Sequence, residues 1–77
     1  MWIKTQNNKE LVDVSSIKIV KSGKKAYIMA VINGAGFWLS GDTIIGKYGT
    51  MDEAILALNK IETSISNREN IHVMSTN

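Results

Sequence analysis

Any chemistry this chain performs has to start from a short inventory of reactive side chains. His72 is its single histidine and there is no cysteine, which leaves too few ligands for a protein-only zinc site and no thiolate. Nucleophilic catalysis needs a serine or threonine held against a base. The one imidazole falls in Ile71-His72-Val73-Met74, which reads as an edge strand or a tail, and its expected state is a solvated side chain. Asp42, Asp52, Glu53 and Glu62 show no pairing that suggests a metal or a carboxylate dyad. Gly34-Ala35-Gly36 opens like a dinucleotide fingerprint, but Leu39 holds the third glycine position. The segment also leads into a strand, whereas phosphate capture there needs the amino end of a helix. The inventory points to a binding protein and not to an enzyme, with no cofactor and no metal expected.

The groups that can bind are lysines and aromatic rings. Lys18, Lys21, Lys24 and Lys25 fall within eight residues that hold no acid. Such a loop draws a phosphate, a nucleic acid or an acidic protein surface, and it also keeps a small protein soluble. Trp2, Tyr27, Phe37, Trp38 and Tyr48 all sit in segments that read as strands. Phe37 and Trp38 are adjacent, so they point to opposite faces of one strand and cannot share a core. A tryptophan on an open sheet face anchors a subunit interface or stacks on a ring. The expected ligand set is a base on Trp38 or Tyr48, with phosphates met by Lys24, Lys25, Lys47 and the turn amides at Gly34 and Gly36.

These groups must be placed by strands and one helix. Trp2-Ile3-Lys4 reads as a strand, Gln6 to Lys9 as a polar turn, and Leu11 to Val14 as the returning half of a hairpin. After Ser15-Ser16, Ile17 and Ile19 alternate with their neighbours in the period of a half-buried strand. Ser22-Gly23-Lys24-Lys25 is a turn whose glycine supplies positive φ. Ala26 to Ile32 is apolar on both faces, Tyr27, Met29 and Val31 on one and Ile28, Ala30 and Ile32 on the other. A strand with one wet face should alternate. This one is expected to be covered on both sides, or to turn Tyr27, Met29 and Val31 toward another subunit or a ligand. Phe37 to Leu39 and Thr43 to Tyr48 complete the strands.

Thr50 with Glu53 three residues on has the spacing of a capping box, and Asp52 and Glu53 suit the positive end of a helix. Met51, Ala54, Ile55, Leu58, Ile61 and Ile65 then recur at helical spacing as one apolar stripe, with Leu56 off it as a candidate partner contact. The expectation is an α+β fold, an antiparallel sheet of about five to six short strands packed by one C-terminal α-helix. Residues 1–66 form a single domain, and residues 67–77 are a polar tail or a short edge strand.

A chain of 77 residues lies near the lower size limit for independent folding. With neither disulfide nor metal available and 44% hydrophobic residues, self-association is the remaining route to extra stability. Net charge +2 is too mild to argue for nucleic acid by itself. The longest apolar run, Ala26 to Ile32, is far short of the ~20 residues that span a bilayer. The opening Met1-Trp2-Ile3-Lys4 reads as a strand and not a leader, so the expected location is cytoplasmic.

Two segments carry a resemblance. Met1-Trp2-Ile3-Lys4-Thr5 with Leu11-Val12-Asp13-Val14-Ser15-Ser16-Ile17, and Ile45-Gly46-Lys47-Tyr48-Gly49-Thr50-Met51-Asp52-Glu53-Ala54 followed by Leu58 and Ile61, resemble a group of short proteins of Gram-positive bacteria and their phages. Those begin Met-Trp-(Ile/Val), carry a Gly-x-Tyr-x-(Ser/Thr) helix start, and end in one helix. Here Ile45 stands for a leucine and Gly49 for an aspartate or asparagine. The resemblance implies a phage or mobile-element setting, host cytoplasm, and a stoichiometric role in blocking host defence. Combined with the residues, the leading expectation is an oligomeric sponge for a cyclic nucleotide signal. The alternatives are a protein–protein inhibitor or adaptor of a host factor, and a small DNA-binding regulator built on the lysine loop.

Overall fold

The computed structural model describes residues 1–32 and 42–75. Along the chain come β1 (Trp2–Lys4), β2 (Leu11–Ser22), β3 (Lys25–Ile32), β4 (Asp42–Tyr48), α1 (Met51–Ser66) and β5 (Ile71–Val73). The strands form a five-stranded sheet in the order β4-β3-β2-β1-β5. The α+β architecture closed by one C-terminal helix is the expected one. The sheet departs from the expected pattern in one pair: β5 runs parallel to β1. Parallel neighbours cannot be joined by a hairpin; here β2, β3, β4 and α1 intervene, and α1 carries the chain from β4 at one edge to β5 at the other.

The two short strands expected around Ser15-Ser16 are a single strand. Its register shifts between Val14, opposite Ile32, and Ser16, opposite Val31, which leaves Ser15 as the extra residue of a bulge. Ser15 Oγ donates to Val31 O at 3.2 Å. One inserted residue would flip every later side chain if the strand stayed regular. The bulge instead keeps Val12 and Val14, then Ile17 and Ile19, turned toward the same core. Gly23, at φ +61, opens the two-residue turn into β3.

The core lies between α1 and one face of the sheet. Ile3, Ile28, Ile45 and Ile61 are fully buried, each contributing about 1.5–3 kcal/mol over an exposed side chain. Ala26, Ile28 and Ala30 of β3 face inward, while Tyr27, Met29 and Val31 are half-buried on the outer face. On the helix, Thr50 Oγ1 accepts from Glu53 N at 3.2 Å, as the capping box requires. The returning arm is displaced by one residue: Glu53 Oε2 accepts from Gly49 N at 3.3 Å. The stripe that packs is Ala54, Ala57, Ile61 and Ser64. Ile55 and Ile65 share the apolar spacing but are 42% and 55% exposed. Met51 and Leu58 of the expected stripe also pack against the core, so only Ile55 and Ile65 of that stripe flank the buried face.

A side chain from the first turn ties the far strand into the fold. Gln6 N donates to Ile45 O at 2.9 Å, and its Oε1 accepts from Lys47 N at 2.7 Å. Its Nε2 donates to Lys47 O at 3.0 Å and to Ser75 O at 3.1 Å. Tyr48 Oη donates to the same Ser75 carbonyl at 3.0 Å. The hairpin tip and the C-terminal segment thus both fasten to β4. This close approach depends on Gly46, where a Cβ would stand 2.9 Å from the Tyr48 ring and 3.2 Å from Met74 Cε. Gly46→Ala is expected to lower the unfolding free energy by about 1–3 kcal/mol through overpacking. At Gly49 the nearest atom to an added Cβ is Glu53 Oε2 at 3.8 Å, so Gly49→Ala should be close to neutral. Urea denaturation of the two variants side by side checks the contrast.

Candidate functional site

On the outer face of the sheet, register brings together residues that are far apart in sequence. Tyr27 of β3 lies directly opposite Lys47 of β4 and opposite Val20 of β2. Lys25 is two residues before Tyr27 and therefore on the same face. Directly opposed residues hold their Cβ atoms about 5 Å apart, which sets Lys47 beside the phenol ring, and Lys25 follows along the same strand face. The three residues, with Tyr48 and Gly49, line a shallow cleft of about 290 Å³. Both ammonium groups are exposed. The ion pair among the described residues is Met1 amino group to Asp13 at 3.2 Å, so no described carboxylate pairs with either lysine of the cleft. Lys47 is also fixed in its backbone, since Gln6 holds both its N–H and its carbonyl.

The expected ligand set is only partly gathered here. Lys25 and Lys47 meet in the cleft, while Lys24 stays on the exposed turn beside Gly23 and does not line it. Tyr48 contributes a wall and no platform. Its ring is 3% exposed and lies over Gly46 with its hydroxyl on Ser75, so a base cannot stack on it. The ring that faces solvent between the lysines is Tyr27, expected above as an interface residue. Its role emerges only from the β3–β4 register, which no local pattern announces. Trp38, Gly34 and Gly36 lie outside the described residues. Met29 and Val31 share the outer face with Tyr27, and Leu56 projects from α1 at 61% exposure.

A larger cavity of about 360 Å³ lies between α1 and β2, walled by Met1, Ile17, Leu58, Ile61 and Ile65 with Glu62 beside them. It offers mostly carbon surface, with the Glu62 carboxylate and the Met1 amino group, whose charge is already paired with Asp13. The smaller cleft is the better candidate because it joins an aromatic face to two exposed lysines.

His72 is not the solvated side chain its sequence position suggests. It is 8% exposed, because β5 inserts beside β1 and turns residue 72 inward with Ile3. Its Nδ1 lies 2.6 Å from Ser64 Oγ on the last turn of α1. Its Nε2 is buried with no hydrogen-bond partner among the described residues. A serine–histidine contact suggests a nucleophile and its base, but Ser64 is itself only 5% exposed, and the pair lies inside the fold between α1 and β5. The described residues also hold no group of His, Asp and Glu able to chelate a metal ion. No helix among them is long and apolar enough to cross a membrane.

The pair locks the strand to the helix. Burial pushes the imidazole pKa below its ordinary value of 6.5; Glu69 opposes that shift and Lys60 adds to it. A depressed histidine is neutral in the folded chain while the unfolded chain still takes up a proton. Stability is therefore expected to be level above pH 6.5, to fall as pH drops below that value, and to level off again once pH passes below the folded pKa. Urea midpoints measured across that range should show the slope in the wild type and lose it in His72→Phe.

Searches of family models, curated proteins and solved structures found no match to the chain.

Proposed function

We propose that this chain is a non-enzymatic binding protein for small phosphate-bearing ring ligands of the nucleotide class, held on the outer face of β3 and β4. The observation that carries the reading is the placement of Tyr27 between Lys25 and Lys47 in one cleft. A planar base gains stacking contact on the phenol face, and the two ammonium groups meet the phosphates. A cleft of about 290 Å³ sits at the lower end of small-ligand sites, which suits a single nucleotide or a compact cyclic one. In its sharpest form the protein sequesters a cyclic nucleotide signal stoichiometrically, the role implied by the likeness to phage proteins.

A second reading, a protein–protein adaptor, draws on the same face. Met29 pairs with Ile44, which is 44% exposed, and both lie beside Tyr27. A pull-down that returns one partner protein, lost in Ile44→Lys, would support it.

Titration calorimetry against a panel of cyclic mono- and dinucleotides tests the first reading. Heat is expected with at least one of them, and Lys47→Glu should weaken that binding tenfold or more. Tyr27→Ala should cost about 1–3 kcal/mol, the worth of one stacked base. Binding should also weaken as salt rises, since two lysines meet the phosphates. No heat with any member of the panel would overturn the proposal.

A further inference from the structure

The two edges of the sheet are treated differently. Natural proteins cover or charge an exposed edge to prevent pairing with another chain. Along β4, Gln6 occupies the carbonyls of Ile45 and Lys47 and the N–H of Lys47. Along β5 no such cover is seen among the described residues. Met74 N donates to Lys4 O at 3.1 Å. By the alternation of a strand, the N–H and C=O of His72 then also face β1, and those of Ile71 and Val73 face away from it. Among the described residues no turn, loop or side-chain hydrogen bond uses those outward groups. Ile71-His72-Val73 also holds neither a proline nor a lysine, the usual guards of an edge.

The surface beside this edge is apolar. Trp2 sits opposite Ile71 and Lys4 opposite Val73 on the paired strands. Trp2, Leu11, Ile71 and Val73 are each about half exposed, at 47%, 50%, 48% and 56%. They form four of the eight exposed large hydrophobic residues among the described residues, gathered on three adjacent strands that end at the bare edge.

We infer that β5 is the seam through which two copies of this chain join, antiparallel about His72. The register is self-complementary. With His72 at the two-fold axis, Ile71 falls opposite the partner's Val73, and the outward N–H and C=O groups of each meet those of the other. The side-chain rows match as well: Ile71 and Val73 point to the same face, so each junction pairs two β-branched residues. Charge also permits the contact. Lys4 is paired with Val73 in one row and its counterpart lies in the other, so the two ammonium groups are not opposed. A foreign strand would need its own matching sequence, whereas a second copy brings the match with it. The seam is on the opposite edge of the sheet from the Lys25–Tyr27–Lys47 cleft, so it stands whether or not that cleft binds a nucleotide.

The test is the molar mass of the full chain by sedimentation equilibrium, from dilute to millimolar concentration. The wild type is expected to rise from 8.5 kDa toward twice that value. Val73→Lys adds a charge at an exposed edge position and should stay at the monomer mass throughout. Val73→Pro deletes one outward N–H while leaving the groups that face β1 intact, and it should do the same. Its circular dichroism should match the wild type, which keeps the result readable if the lysine variant unfolds. Leu56→Lys, on the helix, should associate like the wild type. A wild type that stays at the monomer mass at millimolar concentration overturns the inference. So does undiminished association of both Val73 variants, or loss of association in Leu56→Lys.

Discussion

A single amide side chain determines how far this small sheet wraps. Gln6 links the tip of the β1–β2 hairpin to β4 through its backbone and through both ends of its side chain, and it reaches Ser75 as well. Without these bonds β4 would be an ordinary free edge, and nothing in the hydrophobic pattern would hold the hairpin tip against it. Each bond contributes only about 0.5–1.5 kcal/mol in net terms. Together they join three segments separated by up to 69 residues of sequence, so they constrain the whole chain. The Tyr48 hydroxyl on Ser75 and the glycine beneath its ring belong to the same joint.

The rest of the molecule follows from that joint and from the helix. Fastening β4 places Lys47 beside Tyr27, and the candidate cleft exists because of it. Fastening Ser75 draws Met74 into the core, where it is 2% exposed, and leads β5 along β1. His72 is then carried inward against Ser64, so a buried imidazole spans helix and edge strand. That contact engages Nδ1, and Nε2 has no hydrogen-bond partner among the described residues. A 77-residue chain without disulfide or metal has little core to spare, and these polar ties supply part of the order that a larger domain draws from packing alone.

Much of the fold was legible in the residues because it is local. The helix start at Thr50, the glycine turn before β3 and the apolar strand Ala26 to Ile32 each follow from neighbours within a few positions. The misreadings share a cause. Ser15-Ser16 looked like a break because a bulge and a turn use the same small polar residues, and only the pairing with Val31 tells them apart. The helix stripe holds at Met51, Ala54, Leu58 and Ile61 and fails at Ile55 and Ile65, because spacing alone does not fix the edges of the face that meets the sheet. His72 was read as exposed because a three-residue strand carries almost no periodic signal. Of the candidate site, the lysines were visible as charge. Tyr27 was visible as an outward aromatic, but its partnership with Lys47 is a matter of register across two strands. Tyr48 was misassigned because a strand tyrosine looks alike whether its hydroxyl reaches solvent or a buried carbonyl.

The central claim is that Gln6 closes β4 and so fixes Lys47. Native-state hydrogen exchange of the Lys47 amide tests it most directly, because that N–H donates to the Gln6 side chain at 2.7 Å. The amide should be protected in the wild type and become fast in Gln6→Ala, while Ala30 in β3, paired on both sides, keeps its protection. A Lys47 amide that exchanges at the rate of an open loop in the wild type, or that is unchanged by Gln6→Ala, would contradict the account.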